Sequence, residues 1–570
     1  MARGCGARLH GAAALLVLLA LLASSGCSST PADDVAGPGG SGPGTTAEAG
    51  RADLTLEGDG AEPRQGGSAT FGLATETDGW NPATSRWSAS GYIVGFSIFD
   101  PLLAYDDQLV PRPYLARSMT PDATFTTWTI ELRPGVTFHD GTPVDAEAVI
   151  ANLDAQLASG LTAQTLSFIE DVRAVDPLHV EVTMSKPWSG FPNMLTSQVG
   201  AIASPTMLAA GAEGSRNPVG SGPFRFVSWE SGDSLQTARN PSYWQAGYPH
   251  LDELEFKIAP DVTGRGNAFR AGDLDLFETS DPRQITEFTE AARAGDSQIF
   301  TDQRTDGPKV FLALNHATAP FDDPVARRAV AHAVNRDELS EVAFEGVFPP
   351  VTGPFSESSP NYSAEAAAAA HAFDLERAKA LAAEYEADHG EPLAFTLSLS
   401  TSPESAQLGQ LLVQQLGAAG IDVTLETGEP VSLILKIFGG QYQAGTFSLF
   451  ASPSIDTNYA FIAGPPGRVG ETSLNFARVS ESDNAELIAA LDQARTTDDP
   501  DVQREQYTVV QREMAENLGF VFLVRLTTAV VYSNDIRGAQ RYPLPGPDDE
   551  PAGMALARTA PLTFNLWRTA

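Results

Sequence analysis

Residues that could carry acid–base or metal chemistry are sparse in this sequence of 570 residues. His139 and Asp140 stand side by side and would suit general acid–base catalysis. Gly141 follows them directly, however, and Asp-Gly is typical of a tight hairpin turn, so we favour a turn at this place. The eight histidines are scattered, and no two of them have the spacing of metal ligands. The sequence therefore predicts no catalytic residue, no metal ligand and no cofactor.

Local motifs of the common enzyme classes are also missing. The sequence contains no Gly-Lys dipeptide, and so no P-loop, and it has no His-Glu-x-x-His, Cys-x-x-Cys or Gly-x-Ser-x-Gly. The glycines between Gly37 and Gly42 fit Gly-x-Gly-x-x-Gly, but no strand precedes them and no helix follows. Catalytic groups can also assemble across a chain, so a secreted hydrolase stays as the least favoured alternative.

The N-terminal residues predict export. Arg3 and Arg8 precede an apolar run, Ala12–Ala23, which is too short to span a bilayer as a helix. Residues 1–26 are therefore predicted to be a signal peptide. The sequence Ser-Ser-Gly-Cys that ends at Cys27 resembles a bacterial lipobox, although serine stands where leucine is usual.

Cys27 is predicted to carry a lipid, and the alternative is an ordinary signal peptide that is cleaved nearby. Because Cys5 is the only other cysteine, the processed chain can form no internal disulfide. Residues 27–67 are rich in glycine, proline, alanine and serine and are predicted to be a flexible tether. We therefore expect an extracytoplasmic protein whose lipidated N-terminus holds it at the outer face of the cell membrane.

The elements that would position a functional site are organised around the segment from Lys309 to Glu345. The apolar run Val310–Leu314 predicts a buried strand, and Asp323 followed by Pro324 predicts the start of a helix. Asn335 is predicted to cap a second helix. The chain is longer than one hydrophobic core usually organises, so two or more lobes are expected. Its net charge of −36 gives no attraction to nucleic acid.

Other stretches predict further elements. Trp128–Leu132 alternates between apolar and polar residues, which predicts a strand with one buried face. Asp145 is placed to cap the helix that follows. A helix is also predicted over Tyr92–Leu103, and the continuous apolar run Phe520–Val524 predicts a buried strand.

In these segments and their order the sequence resembles extracellular solute-binding protein family 5, the oligopeptide-, dipeptide- and nickel-binding proteins of ABC importers. The resemblance rests on the residues from Leu132 to Pro143, which read Leu-Arg-Pro-Gly-Val-Thr-Phe-His-Asp-Gly-Thr-Pro, and on those from Leu314 to Arg336. It spans about Ser68 to Val531. It implies an α/β fold of the periplasmic-binding-protein type (type II, cluster C style), with two lobes, a hinge, and an extra subdomain in the larger, discontinuous lobe.

The resemblance also implies lobe boundaries and a function. Residues 68–308 would form lobe I, with a subdomain inserted at about 96–205. Residues 309–525 would form lobe II, and residues 526–570 would return to lobe I. The implied function is to capture a solute between the lobes and deliver it to the permease subunits of an ABC importer, as a monomer and without catalysis. An oligopeptide is the first expectation for the solute, and a sugar or a metal chelate is the alternative.

The resemblance places the ligand site as well. In peptide-binding members an aspartate in a segment like Ala-Asp-x-x-Asp-Pro pairs with the amino group of the peptide. Ser452 stands at that place here, so Asp456, the nearest carboxylate in sequence, is the predicted partner. An arginine expected after the strand near Leu399 is also missing, which leaves an uncharged solute open. For each aromatic candidate the alternative is packing in the core. The predicted ligand-binding residues are Trp87, Ser88, Phe450, Ser452, Asp456, Asn458 and Tyr459.

Overall fold

The structure is a computed structural model, and it describes most of the folded chain. The predicted signal peptide, Cys27, nearly all of the predicted tether and Phe450 lie outside the described residues. The described residues are 62–160, 162–301, 307–401, 403–428, 433, 436–437, 439–449, 452, 454–464, 475–546, 551–556 and 562–569.

A seven-stranded mixed sheet with its helices forms the first unit of the molecule, which we call the seven-stranded unit. Its first strand, Ser68–Leu73, is parallel to Glu253–Ile258 on one side and to Leu276–Thr279 on the other. The helices of this unit are Ala89–Ile98, Val262–Ala271 and Pro282–Ala294. In spatial order the strands are Gln298–Thr301, Ala529–Tyr532, Leu276–Thr279, Ser68–Leu73, Glu253–Ile258, Ser234–Arg239 and Phe224–Glu230.

The helix that was predicted over Tyr92–Leu103 runs over Ala89–Ile98 instead, so both predicted ends were wrong. It begins earlier because the side chain of Ser88 caps it by accepting a hydrogen bond from a backbone N–H of the first turn. It ends earlier because Asp100 precedes Pro101, and the residue before a proline is disfavoured in helical backbone.

An antiparallel four-stranded sheet with one long helix forms the second unit, which lies between residues 102 and 202 and which we call the four-stranded unit. Thr127–Leu132 alternates between buried and half-buried positions, which confirms the predicted strand. Asp145 caps the helix Ala146–Ala158 by accepting a hydrogen bond from the N–H of Ala148. In spatial order the strands are Ala116–Pro121, Thr127–Leu132, His179–Met184 and Ile169–Asp176.

A five-stranded sheet with its helices, between residues 309 and 525, forms the third unit, which we call the five-stranded unit. Lys309–Leu314 confirms the predicted strand, and Asp323 caps the helix Pro324–Ala333. The predicted strand near the end of this region is also confirmed, as Phe520–Arg525. In spatial order the strands are Asp422–Gly428, Ala394–Ser400, Ala444–Leu449, Lys309–Leu314 and Phe520–Arg525.

Helices cover both faces of the five-stranded sheet. Pro324–Ala333, Leu375–His389 and Pro403–Ala418 share a hydrophobic cluster with one face. Ala485–Ala494 and Pro500–Asn517 share a cluster with the other face, and that second cluster continues into the core of the four-stranded unit.

The chain passes twice between the seven-stranded and the five-stranded unit. One crossing leads from Thr301 to Lys309, and the other leads from Arg525 to Ala529. Thr301 lies opposite Ala529 in one sheet, and Lys309 lies opposite Arg525 in the other. The two crossings therefore start and end side by side and run in opposite directions.

Short elements complete the described chain. Within the described ranges, no helix is long and apolar enough to cross a membrane. The short elements are Leu103–Tyr105, Pro111–Pro113, Phe191–Met194, Gln198–Gly200, Pro205–Ala209, Ala212–Arg216, Arg336–Glu338, Leu339–Ala343, Ala364–Ala367, Ile455–Asn458, Tyr459–Ile462, Ile536–Arg537, Arg541–Pro545, Pro551–Leu556, Leu562–Asn565 and Trp567–Arg568.

Candidate ligand-binding site

The carboxyl ends of parallel strands form one edge of the seven-stranded sheet, and ligands of open α/β sheets bind at such edges. The chain that follows strand Ser68–Leu73 brings a hydroxyl cluster to this edge. The Thr75 hydroxyl lies 2.7 Å from that of Ser88 and donates to the Ser90 hydroxyl over 3.1 Å. Ser88 is half-buried at the N-terminus of helix Ala89–Ile98, so this predicted ligand contact lies at the expected edge.

An acidic residue that sequence reasoning missed joins this cluster. Glu278 is buried, and its carboxylate accepts hydrogen bonds from the Ser90 hydroxyl and from the backbone N–H of Ala74. Burial raises the pKa of Glu278, while these hydrogen bonds and the charge of Arg265 act in the opposite direction. The edge therefore carries an acid among neutral donors.

A pocket opens beside the same cluster. It is small, with a cavity volume of about 10 Å³, and Thr75, Glu76 and Ser90 are among its polar lining residues. Trp80 and Trp229 form an apolar wall with their ring centroids 5.7 Å apart in an edge-to-face contact. Polar groups and indole rings thus meet at one opening on the seven-stranded unit.

Trp87, the other ligand contact predicted on this unit, lies in a cluster of aromatic side chains. Its ring stacks on Phe99 with centroids 5.9 Å apart and meets Tyr92 and Phe96 edge-on. A methyl group added at Gly95 would stand 2.6 Å from the ring, so glycine is needed for this approach. The environment of Trp87 is that of a core residue, and its contact with a ligand stays a prediction.

Four strands of the five-stranded sheet end at one edge, where the strand Lys309–Leu314 begins. Lys309 lies directly opposite both Leu449 and Arg525. The side chain of Lys309 is buried and that of Arg525 is half-buried. Opposite residues of neighbouring strands point to the same face, so two basic side chains lie close together at this edge.

Glu278 of the seven-stranded unit and the two basic residues of the five-stranded unit, Lys309 and Arg525, lie near the crossings. Glu278 precedes Thr279, which lies opposite Ala529, and three residues separate Ala529 from Arg525. Four residue steps span at most about 14 Å, which limits the distance between the two sheet edges at this point. The region around the crossings therefore carries opposite charges on its two sides, with Lys309 beside Arg525.

Ser452 lies on the segment that follows strand Ala444–Leu449. It is half-buried, and its hydroxyl accepts a hydrogen bond of 3.2 Å from the N–H of Ser454. Burial raises the pKa of Tyr105 to about 12, and hydrogen bonds with Thr196 and Ser452 oppose that rise. Because Tyr105 belongs to the four-stranded unit, Ser452 lies where the two units meet.

Asp456 occupies the short helix Ile455–Asn458 and is only 5% exposed. Nε of Arg495 donates to one of its carboxylate oxygens, and Nε1 of Trp188 donates to the other. The residue predicted to receive a peptide amino group is thus already paired with a cation of the protein. Its role toward a ligand stays a prediction, and an amino group would have to share the carboxylate with Arg495.

The last two predicted contacts follow Asp456 directly. Asn458 is buried, and the hydroxyl of Tyr459 donates to Asp492 over 3.2 Å. The ring of Tyr459 meets Phe168 of the four-stranded unit edge-on at 5.4 Å, and burial raises its pKa. The structure therefore gathers four of the predicted residues on one segment against the four-stranded unit, and it places Trp87 and Ser88 on the seven-stranded unit.

Sequence reasoning missed several charged residues of this region. A charged residue at the first or last position of an apolar strand is the signal that could have indicated Lys309 and Arg525. No signal in the sequence linked Arg495 to Asp456, which is 39 residues away. In the part of the chain that the structure describes, no group of three or more His, Cys, Asp or Glu residues could hold a metal ion.

Comparison with known proteins identifies the class. The family model of the bacterial extracellular solute-binding proteins, family 5 (middle), matches residues 110–466. The chain belongs to this family, whose members are extracytoplasmic solute-binding proteins of ABC importers and not enzymes. The periplasmic-binding-protein fold predicted from the sequence is confirmed.

Individual relatives differ in what they bind. The glutathione-binding protein GsiB of Pectobacterium atrosepticum is 31% identical over 340 residues, which are 58% of this chain and 63% of GsiB. Among solved structures, AgaA from Agrobacterium tumefaciens R10 in complex with agropinic acid has a TM-score of 0.75 at 24% identity, covering 88% of this chain and 99% of AgaA. AppA from Bacillus subtilis in complex with a nonapeptide has a TM-score of 0.72 at 20% identity, covering 89% and 100%.

Proposed function

We propose that this chain is the solute-binding lipoprotein of an ABC importer, which captures a peptide between two lobes and delivers it to membrane permease subunits. The observation that carries the proposal is the pair of adjacent crossings, Thr301 to Lys309 and Arg525 to Ala529, in a chain of this family. Residues 68–308 with 526–570 form one lobe in this proposal, and residues 309–525 form the other.

The adjacent crossings would act as the hinge. A hinge needs only a few residues that absorb the change in backbone angles between two rigid bodies. A solute favours the closed state only through contacts that it makes better there. We expect the radius of gyration in small-angle scattering to fall when the solute saturates the protein, and an unchanged radius would argue against lobe closure.

The charges near the hinge support a peptide. A peptide carries an ammonium group and a carboxylate, and charge-assisted hydrogen bonds are the strongest contacts available to both. Lys309 and Arg525 offer a place for the carboxylate, while Glu278 and Asp456 are the candidate partners of the ammonium group. The relatives described above bind glutathione, a nonapeptide and agropinic acid, and these ligands agree with a peptide or a related acid.

The other predicted contacts complete the proposed site. Ser88 and Ser452 would bind the peptide backbone from opposite lobes, since hydroxyls can both donate and accept. Asn458 would do the same through its amide. The aromatic candidates, Trp87, Phe450 and Tyr459, would enclose the apolar parts of the solute.

Native mass spectrometry of the protein purified from its own host tests the proposal, followed by identification of the released solute. A peptide is the expected result, bound without being consumed. Recovery of a sugar or a metal chelate would overturn the peptide assignment and leave the binding function standing. Chemical turnover of the bound compound, lost on a single substitution at the cleft, would overturn the binding function itself.

Substitutions test which charged side chains bind the carboxylate and the ammonium group of the peptide. Arg525→Gln is expected to weaken peptide binding by about 2–5 kcal/mol if its guanidinium receives the carboxylate, because one partner of a buried charge pair is lost. Asp456→Asn and Glu278→Gln, compared in calorimetry with the same peptide, show which carboxylate receives the amino group. Arg512→Gln is the matched control, because Arg512 is exposed beside Glu486 on the surface.

The anchor is tested separately. Cys27 is proposed to carry diacylglycerol, since two acyl chains give stable membrane attachment where a single chain does not. Cys27→Ala should release the protein to the medium or leave it unprocessed. A variant that remains mature and membrane-bound would show that the anchor lies elsewhere.

A further inference from the structure

The turn that follows strand His179–Met184 of the four-stranded unit inserts into the five-stranded unit. At its centre Trp188 is fully buried, and its indole N–H donates to the carboxylate of Asp456. Arg495 donates to the other oxygen of the same carboxylate and is only 3% exposed. One buried carboxylate thus binds a donor from each of two units. We call Trp188, Ser189, Asp456 and Arg495 together the clasp.

Aromatic rings surround the cation of the clasp. The guanidinium carbon of Arg495 lies 4.0 Å from the ring centroid of Tyr459, 4.2 Å from that of Phe168 and 5.2 Å from that of Trp188. Phe168 and Trp188 belong to the four-stranded unit. A buried cation needs such partners, because its loss of water is otherwise unfavourable. The second unit therefore completes the environment of a charge that the first unit holds.

The backbone of the turn also forms a hydrogen bond with the five-stranded unit. The N–H of Ser189 donates to the carbonyl of Arg495 over 2.9 Å, and its hydroxyl donates to the carbonyl of Ala494 over 3.3 Å. These carbonyls lie at the C-terminus of helix Ala485–Ala494, where no further turn of helix can satisfy them. At Gly190 a methyl group would stand 2.6 Å from a carboxylate oxygen of Asp456, so glycine allows the close approach.

The ion pair of the clasp lies wholly within one unit. Asp456 and Arg495 both belong to the five-stranded unit, whereas Trp188 and Ser189 belong to the four-stranded unit. Separation of the units would break the indole and backbone hydrogen bonds and the contacts of Arg495 with the rings of Phe168 and Trp188. It would leave the ion pair together with the ring of Tyr459 and return the pair to water. Opening therefore never leaves a single buried charge without its partner, which is the costly event in buried ion pairs.

We infer that the clasp is a closure device that holds the four-stranded unit on the five-stranded unit and sets how readily the cleft opens. The inference rests on the proposed function, because it assumes that the units separate when solute is released. It gives Asp456 a role in closure that does not require contact with the solute. The hydrogen bonds of Trp188 and Ser189 are the contacts of the clasp that would break when the units separate.

Hydrogen exchange at the amide of Ser189, measured on the purified full chain without added solute, tests the inference. Trp188→Phe keeps one aromatic ring, removes the N–H donor to Asp456 and makes the buried side chain smaller, a change in size that the control variant below shares. We expect the exchange rate of Ser189 to rise about tenfold or more, because a charge-assisted hydrogen bond between the units is lost. Amides of strand Lys309–Leu314 should keep their protection, which excludes global unfolding as the cause.

Trp244→Phe is the matched control, because its indole N–H also donates to a buried aspartate, Asp100, over 2.9 Å, away from the clasp. It should leave the exchange of Ser189 unchanged. Ser189→Ala, which removes only a hydroxyl of the clasp, is a second variant in case Trp188→Phe fails to fold, and its amide should exchange faster than in the wild type.

Two results would overturn the inference: an unprotected Ser189 amide in the wild type, or equal rates in the wild type and both clasp variants. Because no solute is added, a failure of the proposed function would not change this readout. If the exchange experiment contradicted the inference about the clasp, the identification of the bound solute by mass spectrometry would still stand.

Discussion

The four-stranded unit has two junctions, and each contains a buried aspartate that accepts an indole N–H. Where the chain enters from the seven-stranded unit, Trp244 donates to Asp100, and both residues lie just outside the four-stranded unit. Toward the five-stranded unit, Trp188 donates to Asp456 across the junction itself. The two carboxylates differ in what else they bind. Asp456 has the cation of Arg495 beside it, whereas the other described donors to Asp100 are neutral hydroxyls.

The consequence of this difference is seen at Asp100. Its carboxylate accepts hydrogen bonds from Ser221, Tyr243 and Trp244 over 2.9 to 3.0 Å, and the side chain is fully buried. Burial raises the pKa of Asp100 from 3.8 to about 6, because the neutral donors offset only part of the lost hydration. Neutral donors can hold a buried carboxylate in place, but they do not replace a counter-ion.

The junctions also differ in their backbone. At the Asp100 junction the N–H of Leu102 donates to Gly200 over 2.8 Å, and that of Ile202 donates to Asp100 over 3.2 Å. The chain itself passes through this junction twice, near residues 101 and 201, where Pro101 and Ala201 form a bridge. At the clasp the described contacts are side chains and the turn of Ser189. The first junction is therefore held by the chain itself, and the second is the one that we propose to separate.

Removal of the cation from the clasp is expected to have the largest effect on stability. Arg495→Met should lower the free energy of unfolding by about 3–5 kcal/mol, because Asp456 would remain as a buried charge without its partner. Denaturant titration measures the loss. The double variant Arg495→Met with Asp456→Leu should recover much of it, since no unpaired charge is left. A double variant that is as unstable as the single one would contradict this account.

The pH dependence of stability is the next test, and it concerns Asp100. The folded protein keeps a proton on Asp100 up to about pH 6, whereas the unfolded chain releases it near pH 3.8. The contribution of this proton to stability is complete below about pH 4 and is lost as the pH rises to 6. The free energy of unfolding should fall by roughly 3 kcal/mol over this interval through this group.

Asp100→Asn isolates that contribution. The variant cannot titrate at this position, so its loss of stability between pH 4 and 6 should be smaller than that of the wild type by the same amount. Asp154→Asn is the control, because Asp154 is exposed on helix Ala146–Ala158 and should leave the slope as it is. Parallel curves for the wild type and Asp100→Asn would show that Asp100 is ionised normally in the folded state.

Local rules were enough to predict much of the scaffold that carries these junctions. Asp145, Asp323 and Asn335 all cap helices as predicted, because capping depends on the side chain and the next three residues only. The strand at Lys309–Leu314 was equally clear from its apolar run. The predicted helix over Tyr92–Leu103 failed at both ends, since the cap at Ser88 and the proline at 101 outweighed the apolar pattern.

The junctions themselves could not be predicted in the same way. Trp188 and Asp456 are 268 residues apart, and no local pattern marks either of them as a partner of the other. From sequence, Asp456 was noticeable only as a carboxylate near a place where relatives carry one. Its pairing with Arg495 follows from how the helix Ala485–Ala494 packs, and this depends on the whole five-stranded unit.

A smaller change, Trp244→Phe, should weaken the first junction without opening the second. The loss of one hydrogen bond to a charged acceptor is expected to cost about 1.5–3 kcal/mol, part of which is offset by the remaining donors Ser221 and Tyr243. Denaturant titration of this variant beside Trp188→Phe compares the two indole bonds directly. We expect Trp244→Phe to lower the free energy of unfolding more than Trp188→Phe, because Asp100 has no cation beside it among the described residues, whereas Asp456 has Arg495. A larger loss for Trp188→Phe would contradict this order.

The smallest effect is expected from the exposed ion pair at the rim of the clasp. Nζ of Lys186 lies 3.1 Å from Asp492, and the two side chains are 48% and 32% exposed. Because water screens both charges and two long side chains must be held still, Lys186→Ala should change the free energy of unfolding by less than about 1 kcal/mol. The effect should shrink further in high salt, where the Debye length is short. If Lys186→Ala instead destabilised the protein as much as Arg495→Met, the exposed and the buried ion pair would contribute equally to stability. Burial would then not explain the large effect expected at Arg495.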